Sequence, residues 1–169
     1  VPRLRGGVFG VTPIIQQATD MDKPDYDDPA VEERWCDEQR ARVADYLRSQ
    51  KVEHGRIGEW PAWHVAPHVS IWAIESVARP EWIGWWVICG DLPTDYISAA
   101  EVAHPQHPRK AVRAIAEHWL KQVEAWNEGR DYHGIVIAGP HSLHELAPLL
   151  QSRAEILLEW TNNDSLWED

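Results

Sequence analysis

Eleven tryptophans and a single phenylalanine among 169 residues set the hardest constraint on how this chain can fold. An indole carries a large apolar area and an N–H that needs an acceptor once buried. Leu, Ile and Phe fill most cores of this size; here indoles must take much of that space. Trp60, Trp63, Trp72, Trp82, Trp85 and Trp86 also fall close together in the chain. Such density points to a sheet packed with indoles or to an aromatic surface that meets a partner.

Strand patterns occur in the same region. Val69, Ile71 and Ala73 alternate with Ser70, Trp72 and Ile74 over residues 69–76. Ile83, Trp85, Val87 and Cys89 alternate with Gly84, Trp86 and Ile88 over residues 83–89. Period-two alternation marks strands, and apolar residues on both sides predict a strand covered on both faces. The short "VARPEW" link between the two predicts an antiparallel hairpin. Pro61 and Pro67 bar a long helix before it, so residues 57–65 read as an irregular or short edge strand. The stretch "GDLPTDYISAAEVAHPQHP" after it reads as a polar loop with room for one helical turn.

Helical signals flank these strands. Asp28 as N-cap and Pro29 in the first turn open a helix. Val31, Trp35, Val43, Ala44 and Leu47 then recur at helical spacing until about Gln50. A second helix over 108–128 carries Val112, Ile115, Trp119, Val123 and Trp126, and Gly129 ends it. "HGIVIAG" is a short strand candidate. Ser142 and Glu145 form a capping-box pattern. Beyond them a stripe of Leu146, Leu149, Leu150, Ile156, Leu157 and Trp160 begins, with Pro148 in the first turns or at a kink. The expected fold is α+β: an antiparallel sheet of about three to four strands with an N-terminal helix and C-terminal helices packed on it. Residues 28–169 are the single α+β domain, and residues 1–27 are expected to be a mobile extension. Met21 is the one methionine, and it reads as an alternative translation start, with residues 1–20 upstream of the domain.

Charge narrows the partners. A formal net charge of −11 repels phosphate backbones and anionic membrane surfaces, so neither nucleic acid nor membrane is an expected partner. No apolar run approaches the roughly 18 residues needed to span a bilayer. The two cysteines, Cys36 and Cys89, have no zinc-ligand spacing, and reduced thiols suit a cytoplasmic protein. Cys89 alternates with apolar strand residues, which reads as a small buried hydrophobe rather than a nucleophile. His64 and His68 are paired across Pro67, but pairs alone do not build a metal site. No metal and no cofactor is expected.

Chemistry-bearing side chains gather in two places. Trp60 and Trp63 flank Pro61 beside His64 and His68, and aromatic anchors beside His and carboxylate groups typify binding patches. Asp91, Asp95 and Tyr96 follow the strongest strand, and loops at strand ends commonly carry function. For the two aspartates, turn formation through bonds to nearby backbone N–H groups is the simpler reading. Glu59 and Glu75 are further acid–base candidates near His64.

The segments "GEWPAWHVAPHVSIWAIES", "GWWVICGDLPTDYIS" and "SRAEILLEWTNNDSLWE" resemble a family of small, Trp-rich bacterial proteins, mostly proteobacterial, that is a domain of unknown function. The resemblance spans residues 31–168. It implies a bacterial, cytoplasmic, single-domain protein and carries no activity or catalytic residue with it. The leading expectation is therefore a non-catalytic protein-binding module using a surface of Trp60, Trp63, His64 and His68 with the loop of Asp91, Asp95 and Tyr96. One alternative is a small hydrolase-type enzyme using His64 or His68 with Asp91 or Asp95. Another is a structural, self-associating domain.

Overall fold

The computed structural model describes residues 23–130 and 143–168. Its elements are α1 (Pro29–Ser49), β1 (Trp63–Val65), β2 (Val69–Glu75), β3 (Ile83–Gly90), β4 (Leu92–Ser98), α2 (Pro108–Asn127) and α3 (Leu143–Thr161). Short 3-10 turns cover Ala99–Glu101 and Asp164–Leu166. The chain divides into two units after Arg34, within α1. In the first unit the Asp28 side chain accepts the Ala30 N–H at 2.9 Å, and its carbonyl accepts from Val31 and Glu32 at 3.0 Å. This is the cap expected of Asp-Pro, since proline at the first helical position gives up an N–H with no helical partner.

In the second unit the four strands form an antiparallel meander in the order β1-β2-β3-β4. Ile71 lies opposite Ile88, and Trp72 opposite Val87. The pleat sends Ile71, Trp86, Ile88 and Ile97 to one face, where they pack on Val112, Ile115 and Trp119 of α2 and Leu150 and Leu157 of α3. Trp72, Ile74, Val87 and Cys89 go to the other face and meet Val43 and Leu47 of α1. Indoles thus fill both sides of the sheet. The three fully buried ones each donate to an internal acceptor. Trp72 reaches the Ser70 hydroxyl at 2.9 Å, Trp86 the Gln106 side-chain oxygen at 2.9 Å, and Trp119 the Asp95 carboxylate at 2.8 Å.

One expectation needs correction. The stretch read as a polar loop contains β4, which pairs with β3 from Trp85↔Ser98 to Gly90↔Leu92. Pro93 and Asp95 resemble turn chemistry, but β4 is an edge strand, where a missing ladder N–H is tolerated. The helical turn expected there is the 3-10 turn Ala99–Glu101. The irregular edge segment reduces to β1 and an isolated bridge between Ile57 and Ile74.

Local details fix the end of the sheet that carries the β3–β4 turn. The β3–β4 register shifts between Ile88 and Gly90. Gly90 has φ +145°, and a β-carbon there would run into the His68 carbonyl. Only glycine suits that combination. The turn is tied down by Asp91 N–H donating to the His68 carbonyl at 2.9 Å and by the Arg42 guanidinium donating to the Gly90 carbonyl at 3.0 Å. The end of α3 is held by α2: Arg109 and Arg113 both donate to the Thr161 carbonyl, at 2.8 and 3.2 Å. Cationic side chains are well suited to the last carbonyls of a helix. Pro148 lies inside α3. The "HGIVIAG" strand candidate and Ser142 of the capping box lie outside the described residues.

Candidate functional site

Sheet parity divides the expected patch. Trp63 and His64 are neighbours in β1, so their side chains take opposite faces. Trp63 stacks on Trp167 with ring centroids 4.0 Å apart and donates to the Leu166 carbonyl at 2.8 Å. His64 lies between Trp35 and Trp60, at 6.1 and 5.5 Å. Trp60 is 47% exposed. His68 is exposed in the β1–β2 turn, edge-on to Trp160 at 6.2 Å. Trp60 and His64 therefore form one pair, while Trp63 and His68 both adjoin the C-terminal indoles.

Asp91 and Asp95 also part company. Asp91 is exposed at the β3–β4 turn, whereas Asp95 is 6% exposed within β4. The turn-forming role expected of Asp95 is corrected accordingly. Its one local bond accepts the Tyr96 N–H at 2.9 Å, and it also accepts from Trp119 on α2 and, at 3.4 Å, from the Tyr46 hydroxyl on α1. Burial raises its pKa, against the pull of the Trp119 and Tyr96 donors and of nearby His118. Burial and the Asp95 charge in turn push the Tyr46 phenol upward. Tyr96 is half-buried on the opposite face, edge-on to Trp85 at 5.5 Å and to Tyr46 at 5.9 Å. This cluster fastens the edge strand to both helical layers.

Two more groups settle into structural surroundings. Glu75 accepts the Arg56 and Glu81 backbone N–H groups at 3.1 and 2.8 Å and the Arg56 guanidinium at 3.0 Å. The Glu81 and Arg56 donors hold its pKa down to about 2, so it is a fixed anion. Cys89 is fully buried, and burial pushes its thiol up, which makes it inert.

A mainly apolar concavity edged by a few polar groups lies along α3. The β3–β4 turn and His68 face that helix across two adjoining cavities, of about 230 and 450 Å³, that share Asp91, Leu92 and Arg153. His68, Ile156, Leu157 and Trp160 line the smaller, and Pro93, Leu146, Leu149 and Leu150 the larger. Leu149 is 64% exposed and Ile156 36%. Seven residues apart, they stand one above the other, two turns on. The Arg153 guanidinium lies 3.9 Å from the Asp91 carboxylate across the groove. Both side chains are solvent-exposed, so this pair orients more than it stabilises.

Of the expected residues, His68 and Asp91 are at the groove. Leu149, Arg153, Ile156 and Trp160 were not expected as site residues, because the apolar stripe reads as core. A signal was present: Leu149–Leu150 and Ile156–Leu157 are adjacent pairs. Neighbours on a helix diverge by about 100°, so a helix packed on one side buries only one member of each pair. Among the described residues, no group of three or more His, Cys, Asp or Glu gathers where it could hold a metal ion. Nor, among them, is any helix long and apolar enough to cross a membrane.

Fold and groove together define an α+β domain, a four-stranded antiparallel meander between helices, with an apolar cleft beside its last helix. The chain belongs to the family described as Domain of unknown function (DUF4826), whose family model matches residues 29–167. Compared with curated proteins and with solved structures, the chain finds no match.

Proposed function

We propose that the domain is a non-catalytic protein-binding module that takes apolar side chains of a partner segment into the groove along α3. The observation that carries this reading is the alignment of exposed Leu149 and Ile156 over cavities with mainly apolar walls. A single exposed leucine is ordinary. A leucine and an isoleucine exposed on one helix row beside a cleft match the anchors by which grooves hold peptides. His68, Asp91 and Arg153 supply the few polar groups that fix a ligand's orientation. Catalysis by His64 or His68 with Asp91 or Asp95 has weaker support, since Asp95 is buried against Trp119 and Asp91 lies by Arg153. A net charge of −11 weighs against self-association and against nucleic acid. The reading includes a bacterial, cytoplasmic setting, with which Cys36 and Cys89, both buried and neither in a disulfide, agree.

A second reading keeps the binding role but uses the aromatic pair of Trp60 and His64, because Trp60 is 47% exposed and edge-on to that ring. One experiment tests both. Peptides selected from a random library on the full chain are expected to lose binding to Leu149→Asp and Ile156→Asp and to keep it with Trp60→Ala. The reverse pattern moves the site to Trp60 and rejects the groove.

A further inference from the structure

We infer that the segment recognised by the groove is an amphipathic helix with basic flanks, an inference that rests on the protein-binding reading above. Spacing argues for a helix. Leu149 and Ile156 lie seven residues apart on α3, about 10 Å at ~1.5 Å per residue. Each borders one of the two cavities. A helix docked alongside presents its i and i+7 side chains at the same ~10 Å. An extended strand presents same-face side chains at ~6.6 and ~13 Å, neither of which matches the spacing of Leu149 and Ile156. From Leu146 to Trp160 the stripe runs ~21 Å, enough for about 14 helical residues of partner.

Charge argues for basic flanks. Exposed Glu159, three residues after Ile156, lies beside the stripe on its solvent side, and exposed Glu155 stands one row further round the helix. On the other side Arg153 and Asp91 offset each other. The rim is thus negative within a chain of net charge −11. A second copy would bring its own carboxylates against this rim, whereas Lys or Arg would lay its aliphatic stem on the apolar wall and its charge at the rim. Exposed pairs each contribute little. The apolar anchors therefore supply the affinity, and the charge selects the partner.

The test uses the full chain and two synthetic helices of about 14 residues. Both carry leucine at the same i, i+3/i+4 and i+7 positions; one has lysine and the other glutamate at the flanks. The lysine peptide is expected to bind about tenfold tighter or more, with the preference shrinking as salt rises. Leu149→Asp abolishes its binding, and the Glu155→Lys/Glu159→Lys double variant reverses the preference. Equal binding of both peptides, still lost with Leu149→Asp, overturns the basic partner and leaves the groove's binding role standing. If neither peptide binds, or if the lysine peptide binds Leu149→Asp as well as wild type, the groove reading fails too. Sedimentation of the chain alone adds one more outcome: a dimer broken by Leu149→Asp shows that a second copy covers the stripe and overturns the inference.

Discussion

At the scale of single residues, two carboxylates respond to pH in opposite senses. Asp95 is buried, and its pKa is raised in the folded protein. Its penalty is absent below the ordinary aspartate range near pH 4 and grows as pH rises through that range toward the folded value. Glu75, held to about 2 by backbone and Arg56 donors, does the reverse. Its contribution is full above the ordinary glutamate range and is lost as pH falls toward 2. Chemical denaturation across pH 2–7 of wild type, Asp95→Asn and Glu75→Gln is the check, over a range spanning the ordinary carboxylate values near 4. Wild type is expected to lose stability relative to Asp95→Asn as pH rises, and to lose it relative to Glu75→Gln as pH falls. Parallel curves would mean that neither carboxylate is perturbed by folding. Asp95→Ala removes the acceptor of the buried Trp119 N–H, and stranding such a donor costs about 1–3 kcal/mol.

At the scale of elements, neighbouring residues of α3 are expected to behave differently. Leu150 is 2% exposed and Leu149 64%. Leu150→Ala opens a cavity against the sheet and costs about 2–5 kcal/mol. Leu149→Asp changes stability by no more than about 0.5 kcal/mol. Thermal or urea unfolding of both variants decides this, and a large loss at Leu149 would mean that the position is covered in solution. The central strands were legible because β2 and β3 are apolar on both faces and alternate without interruption. α1 and α2 were legible because Asp28-Pro29 and Pro108 mark starts that local chemistry enforces. β4 was not, since Pro93 and Asp95 carry turn chemistry. The fact that decides their role, Trp119 donating to Asp95 across 24 positions of sequence, is a tertiary contact that no local pattern encodes.

For the molecule as a whole, strand alternation and helical spacing led to the right architecture, and they put Trp72 on one sheet face and Trp86 on the other. The site was less legible. Adjacency in sequence suggested a single patch of Trp60, Trp63, His64 and His68, but alternation in β1 directs Trp63 and His64 to opposite faces. His68 and Asp91 come together through the Gly90 turn, while Leu149, Arg153 and Ile156 are brought opposite them by the packing of α3 on the sheet. The indoles also provide the most direct test of the groove, since each N–H gives its own resonance in a nitrogen-15 spectrum. Trp160 lines the groove, while Trp60 and Trp82 are exposed at 47% and 57% and line neither of its cavities. During titration with the lysine-flanked helix, the Trp160 resonance is expected to shift and saturate while those of Trp60 and Trp82 stay in place. Movement of Trp60 or Trp82 with Trp160 unchanged would contradict the assignment of α3 as the binding surface.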